Sequence, residues 1–172
     1  SRAARMGRAM KLLRQWCGDK LILGCGVPLM PCFGVVDYCR IGCDVSLSWD
    51  DKWFMRLLHR ERVSTRQSID NTVFRRQLNG RAFGNDPDVF LLREENCQLT
   101  PEEKDKLSTA NALFGNILLC SDNPANYSPE TMARFARVQR IFAQAEKAEV
   151  QADGGIQLTY WLDGQEEKQV IR

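Results

Sequence analysis

The sequence predicts a parallel α/β protein, and three observations carry that expectation. Short apolar runs over residues 20–25, 35–42 and 86–93 have the length and character of buried parallel strands. Stretches with apolar residues at helical spacing lie before, between and after them. The 172 residues suffice for one ordinary domain with a substantial core. At this level half of a (β/α)8 barrel and part of a doubly wound sheet read alike. No Gly-x-Gly-x-x-Gly or Walker motif follows any strand, which weakens a nucleotide-binding version. Gly24-Cys-Gly26 is a fragment of such a pattern and runs into Val-Pro.

In chain order, Met6, Ala9, Met10, Leu12, Leu13 and Trp16 recur near helical spacing, with Gly18 where a C-cap belongs. Lys20-Leu-Ile-Leu-Gly-Cys25 is the first strand, and Pro28, Pro31 and Gly34 mark the loop after it. Val35-Val-Asp-Tyr-Cys-Arg-Ile-Gly42 is the second strand, residues 62–78 read as a helix, and Asp86-Pro-Asp-Val-Phe-Leu-Leu-Arg93 is the third strand. Leu99-Thr-Pro-Glu-Glu starts a helix that runs to about Phe114. Thr100 is its N-cap, Pro101 takes the first helical position and Glu103 completes a capping box. Ser128-Pro-Glu opens another in the same manner, with Met132, Phe135, Val138 and Phe142 on its inner face. Beyond Glu149 the pattern changes: Ile156 to Leu162 alternates and Asp163-Gly164 signals a hairpin turn. A boundary is therefore expected near Ala148, with residues 1–147 as the α/β part. Residues 148–172 would start an antiparallel β domain that is cut short.

Composition excludes several function classes. A hydrophobic share of 44%, a charged share of 27% and a net charge of +2 are ordinary for a soluble globular protein. They give no reason to expect nucleic acid or an anionic membrane as partner. Arg60, Arg62, Arg66, Arg75, Arg76 and Arg81 are interleaved with Glu61 and Asp70, the pattern of a solvated helix face rather than a phosphate-binding patch. The longest apolar runs fall well short of the roughly 20 residues of a membrane span. Seven cysteines include no Cys-x-x-Cys pair, and the single histidine, His59, completes no familiar zinc set with them, so no metal is expected. An odd, scattered set of thiols fits a reducing compartment, and a cytoplasmic location is expected. The chain opens on Ser1 directly into helical sequence, so the true N-terminus is expected upstream and a leader there stays open.

In a parallel barrel the active site lies at the C-terminal ends of the strands. That places Cys25 and Gly26, then residues 40–44, then Asp86 and Asp88 around one mouth. Three strand ends deliver an arginine and several carboxylates to one region. Without a histidine cluster, carboxylates are the natural acid/base candidates, as in glycoside hydrolysis. The plainer alternative makes Arg40 and Asp44 a structural ion pair and Asp86-Pro-Asp88 a turn.

The run Leu23-Gly-Cys-Gly-Val-Pro-Leu-Met-Pro, followed by Gly34-Val-Val-Asp-Tyr-Cys-Arg-Ile-Gly-Cys-Asp44, resembles the melibiase-type α-galactosidases of glycoside hydrolase family 36. So do Asn85-Asp-Pro-Asp-Val-Phe-Leu-Leu-Arg93, the Leu-Thr-Pro-Glu-Glu helix start and Leu118-Leu-Cys-Ser-Asp-Asn123, in the same order over about residues 1–125. The resemblance implies the C-terminal half of a (β/α)8 TIM barrel followed by the start of a β-sandwich. It implies a retaining glycosidase that needs no cofactor or metal and acts on α-galactosides. Asp44, four residues after an arginine on strand seven, would be the general acid/base. Arg40 would bind the sugar near its 2-hydroxyl and steady the ionised Asp44. Cys25 and Gly26 would wall the sugar pocket. Trp49 is placed equally well over the site or in the core. Asp86 and Asp88, on strand eight, would support rather than touch the sugar.

The chain also departs from the family. Nothing in it matches the Lys-x-Asp nucleophile motif, and Asp19 falls on the wrong end of its strand. The carboxylates that grip the sugar from earlier strands are absent too. A partial chain is therefore expected, with upstream strands elsewhere and a homo-oligomer of the full-length protein left open. Cys43 stands where relatives often have proline. Competing readings are an α-N-acetylgalactosaminidase, an α-galactosyl transferase, or a non-catalytic carbohydrate-binding scaffold.

Overall fold

A computed structural model describes residues 1–58 and 63–171 as a mixed α/β protein. The expectations for His59, Arg60, Glu61 and Arg62 lie outside the described residues. Helix α1, Arg2–Cys17, is capped by the Ser1 hydroxyl on Ala4 N–H and closed by Gly18 at φ 57°. Strand β1, Leu23–Gly24, runs parallel to β2, Tyr38–Arg40, which runs parallel to β3, Gly84–Asp86. A short helix, α2 (Leu29–Cys32), occupies the stretch expected to be a loop, and another, α3 (Trp53–Leu57), lies in a stretch given no element from the sequence. Helix α4 covers Thr65–Phe74 and is followed by a 3-10 turn at Arg76–Leu78, shorter than the expected 62–78.

The third expected strand is two strands. Pro87 has no N–H to give a ladder, and Asp88 adopts φ 77°, so pairing with β2 stops at Asp86. The Asp86 side chain closes the break by accepting the Asp88 N–H at 2.9 Å. Strand β4, Val89–Phe90, then pairs in parallel with β5, Leu119–Cys120, on a different neighbour. The expected run 86–93 thus begins at the end of one ladder and continues in another. Residues 118–123, noted in the sequence only as part of the resemblance, supply a further parallel strand.

Helix α5, Pro101–Phe114, makes the crossover from β4 to β5 and carries the full capping box of Thr100 and Glu103. Helix α6, Pro129–Gln144, starts at the Ser128 cap. Its buried residues are Val138 and Ile141, with Phe135 partly covered. Met132 and Phe142, expected inside, are exposed because the buried stripe runs through Ile141. An antiparallel sheet follows: β6 (Glu146–Gln151), β7 (Gln157–Leu162) and β8 (Gln165–Val170), with Asp163 and Gly164 at φ 54° and 76° in the hairpin turn. This pair of positive angles matches a two-residue hairpin turn.

Two hydrophobic clusters hold the elements. The larger joins Ile69 and Val73 of α4, Phe90 of β4, Leu107 of α5 and Ile141 of α6 to Leu158 and Tyr160 of β7. The β sheet therefore shares a core with α5 and α6. The smaller packs Met10, Ile22, Cys32, Val36, Cys39, Ile41 and Phe83 around β1 and β2. Among the described residues, no helix is long and apolar enough to cross a membrane.

Candidate active site

Arg40 ends β2 and Asp86 ends β3, and the two are register partners, so their side chains leave neighbouring strands at the same level. Arg40 Nε lies 3.1 Å from Asp86 Oδ2, Nη2 lies 2.8 Å from Asp88 Oδ1, and Nη1 lies 3.1 Å from Asp44 Oδ1. One guanidinium thus spends each of its nitrogens on a different carboxylate. The planar fork of arginine permits this where a lysine ammonium does not. The Asp86 side chain is fully buried and that of Arg40 is 14% exposed, whereas that of Asp44 is 77% exposed. Burial opposes the charge on Arg40, but the carboxylates of Asp86 and Asp88 outweigh it and hold the guanidinium above its usual pKa. Arg40 is a fixed cation.

The turn from Arg40 to Asp44 is held from behind. A Cβ on Gly42 would stand 2.8 Å from Asn71 Cβ on α4, so only glycine lets the helix approach this closely. Cys43 is buried, with Sγ 3.8 Å from the Ser64 carbonyl. Past Asp44, Val45 N–H donates to Asp88 Oδ2 at 2.7 Å. Thr65 Oγ1 donates to the Ser46 carbonyl at 2.7 Å, Gln98 N–H to that of Leu47 at 2.8 Å, and Arg66 N–H to that of Trp49 at 3.1 Å. The first turn of α4 therefore pins the segment that carries Asp44.

The other sequence-derived candidates fall as follows. Cys25 is exposed just beyond β1, which runs parallel to the strand that ends on Arg40. Gly26 follows at φ 68°, a left-handed geometry that suits glycine. Trp49 packs against the larger core with Lys106 Nζ 5.7 Å from its ring centroid, the packing role weighed from the sequence. Asp19 sits exposed in the turn before β1, away from the strand ends that hold Arg40. One part of the plainer reading occurs, since Arg40 and Asp44 pair, whereas residues 87–88 are an irregular break between two strands. The pair is nonetheless one arm of a larger cluster.

Two features had no sequence signal. Asp88 binds the peptide after Asp44 across 43 residues of chain, a contact created by the break at Pro87. Cys39, beside Arg40 but fully buried, has its thiol pushed up to about 12, chiefly by burial and then by Cys32. It stays protonated and unreactive near neutral pH.

No protein-family model matches the chain. Among solved structures it is similar to an α-galactosidase from Thermus thermophilus in complex with p-nitrophenyl α-D-galactopyranoside. That match has 26% identity and a TM-score of 0.74, covering 95% of this chain and 33% of that one. The same enzyme in complex with stachyose matches at 29% identity and a TM-score of 0.71, over 79% of this chain and 30% of that one. α-Galactosidase I from Mortierella vinacea matches at 17% identity and a TM-score of 0.66, over 95% of this chain and 45% of that one, a likeness of fold alone. The chain spans about a third of the length of the Thermus structures.

Proposed function

We propose that this chain is the acid/base-bearing part of a retaining α-galactosidase of the melibiase type, hydrolysing terminal α-D-galactosyl residues from oligosaccharides. The observation that carries the reading is the Arg40 cluster, which gathers Asp44, Asp86 and Asp88 at the ends of parallel strands. The likeness to structures named as α-galactosidases supports it. On this reading β1, β2, the interrupted β3–β4 and β5 are the last four strands of a (β/α)8 barrel, and β6–β8 open a β-sandwich. Counting back from β5 puts Arg40 on strand six and Asp86 on strand seven, one earlier than the resemblance implied.

Asp44 is the most accessible carboxylate of the cluster, as a group that meets a leaving oxygen has to be. It protonates that oxygen while a carboxylate from the rest of the barrel attacks the anomeric carbon. Now ionised, Asp44 then takes a proton from the water that releases the sugar. Arg40 steadies its ionised form between the two steps. Cys25 and Gly26 wall the sugar pocket, and Asp86 and Asp88 seat Arg40.

The test is the first-formed product from the complete protein and an aryl α-galactoside, followed by proton NMR. α-Galactose appearing before mutarotation is expected. β-Galactose would mean inversion and would sink the two-step scheme. Turnover of the α-N-acetylgalactosaminide alone, or transfer to sugar acceptors in place of water, would change the substrate or acceptor and leave the roles of Asp44 and Arg40 standing.

A further inference from the structure

The geometry points to Asp88 as the residue that aims Asp44, an inference that rests on the acid/base role just proposed. Asp44 is largely exposed and, among the described residues, its one side-chain bond is to Arg40 Nη1, so packing does not fix its direction. Asp88 holds both things that do. Its Oδ1 takes Arg40 Nη2 at 2.8 Å, and its Oδ2 takes Val45 N–H, the amide directly after Asp44, at 2.7 Å. The carboxylate therefore references the side chain of Asp44 through the guanidinium and its backbone through the peptide.

Asp88 is itself over-determined. Its N–H donates to Asp86 Oδ1 at 2.9 Å and its carbonyl accepts Asn111 Nδ2 at 3.1 Å. These bonds keep it at φ 77°, a region that aspartate tolerates better than most residues but that still costs free energy. Asp86 differs in kind: it takes Arg40 Nε and the Asp88 amide but, among the described residues, makes no hydrogen bond to the 44–45 segment. Asp86 seats Arg40. Asp88 is the positioning residue for Asp44.

The isosteric change Asp88→Asn isolates this role. A carboxylate offers an acceptor oxygen to each of two donors, whereas an amide offers one oxygen and turns an NH2 toward the other donor. Either Arg40 or Val45 N–H must lose its partner. Asp88→Gly, which suits the positive φ, is the second variant and removes the carboxylate without backbone strain.

Two readouts decide. In crystal structures of the complete enzyme, Asp44 is expected to hold one rotamer in the parent and to lose it, to several rotamers or to none ordered, in both variants. A rotamer unchanged in both would overturn the proposal. In the complete enzyme, Asp88→Asn is expected to lose about tenfold or more in kcat on substrates with poor leaving groups, within the range of acid/base effects. kcat/KM for activated dinitrophenyl galactosides, which reports a first step that needs no proton donor, should stay within about threefold, while their kcat falls with the base-assisted second step. A uniform loss across leaving groups makes Asp88 merely structural. Asp44→Ala is run beside it: if that variant lacks leaving-group dependence, the acid/base reading has failed, and the rotamer result still decides whether Asp88 aims Asp44.

Discussion

Arg40 is the residue on which the site depends, because its three nitrogens organise three carboxylates, two of them buried. Removing it strands Asp86 and Asp88 without their counter-ion. Arg40→Ala should therefore cost about 3–5 kcal/mol of stability in urea unfolding, the range for breaking a buried pair. In the complete enzyme it should weaken binding and rate with every substrate, since the sugar contact proposed for Arg40 would not depend on the leaving group. Arg40→Lys should recover part of the stability but not the three-way geometry. Equal activity of the lysine variant and the parent would contradict this. At this scale much of the site was legible. Arg40, Asp44, Asp86 and Asp88 stand at or just beyond strand ends, where a parallel fold presents chemistry. The Val45–Asp88 bond was not, because it depends on a backbone break that no local pattern announces.

At the scale of elements, legibility followed locality. The caps at Gly18, Thr100 and Ser128 are set by neighbours within four residues, and all three formed where their residue types point. The strands were harder, since β4 and β5 are two residues each and exist only through pairing with each other. Their ends are tied by Asp122. It accepts the Leu92 N–H, the Arg93 N–H at 2.9 Å, Arg93 Nη1 at 2.8 Å and Tyr127 Oη at 2.6 Å. Burial pushes its pKa up, but these donors outweigh burial and hold the carboxyl below its usual value. A depressed folded pKa means that Asp122 contributes fully above the unfolded carboxylate range of about 4. That contribution is lost as pH falls through the folded value. Asp122→Asn should cost about 2–4 kcal/mol near neutral pH, as expected for a buried, multiply bonded carboxylate. The deficit should shrink as pH falls from about 5 to about 2. A deficit constant across that range in urea titrations would reassign Asp122 to packing alone.

At the scale of the molecule, the described residues leave one edge of β1 without a neighbour. Close by in sequence, Trp16, Leu21 and Met30 are each more than 75% exposed. An open parallel edge with apolar flanks is a surface that other chains join. Residues 1–172 alone are therefore expected to self-associate in sedimentation velocity and to leave aryl α-galactosides intact. Robust hydrolysis by this chain would place the nucleophile within it and overturn the division of labour. The central claim, that Asp44 is the acid/base and a carboxylate elsewhere in the barrel the nucleophile, is tested most directly by azide rescue of Asp44→Ala in the complete enzyme. With an activated leaving group the galactosyl-enzyme forms without a proton donor and then waits for a base. Azide, which needs no base, should attack the intermediate in the space that Asp44 vacated. The account predicts restored turnover with β-galactosyl azide as the product, because attack on that intermediate inverts its anomeric centre. Equal losses with every leaving group and no azide product would contradict it.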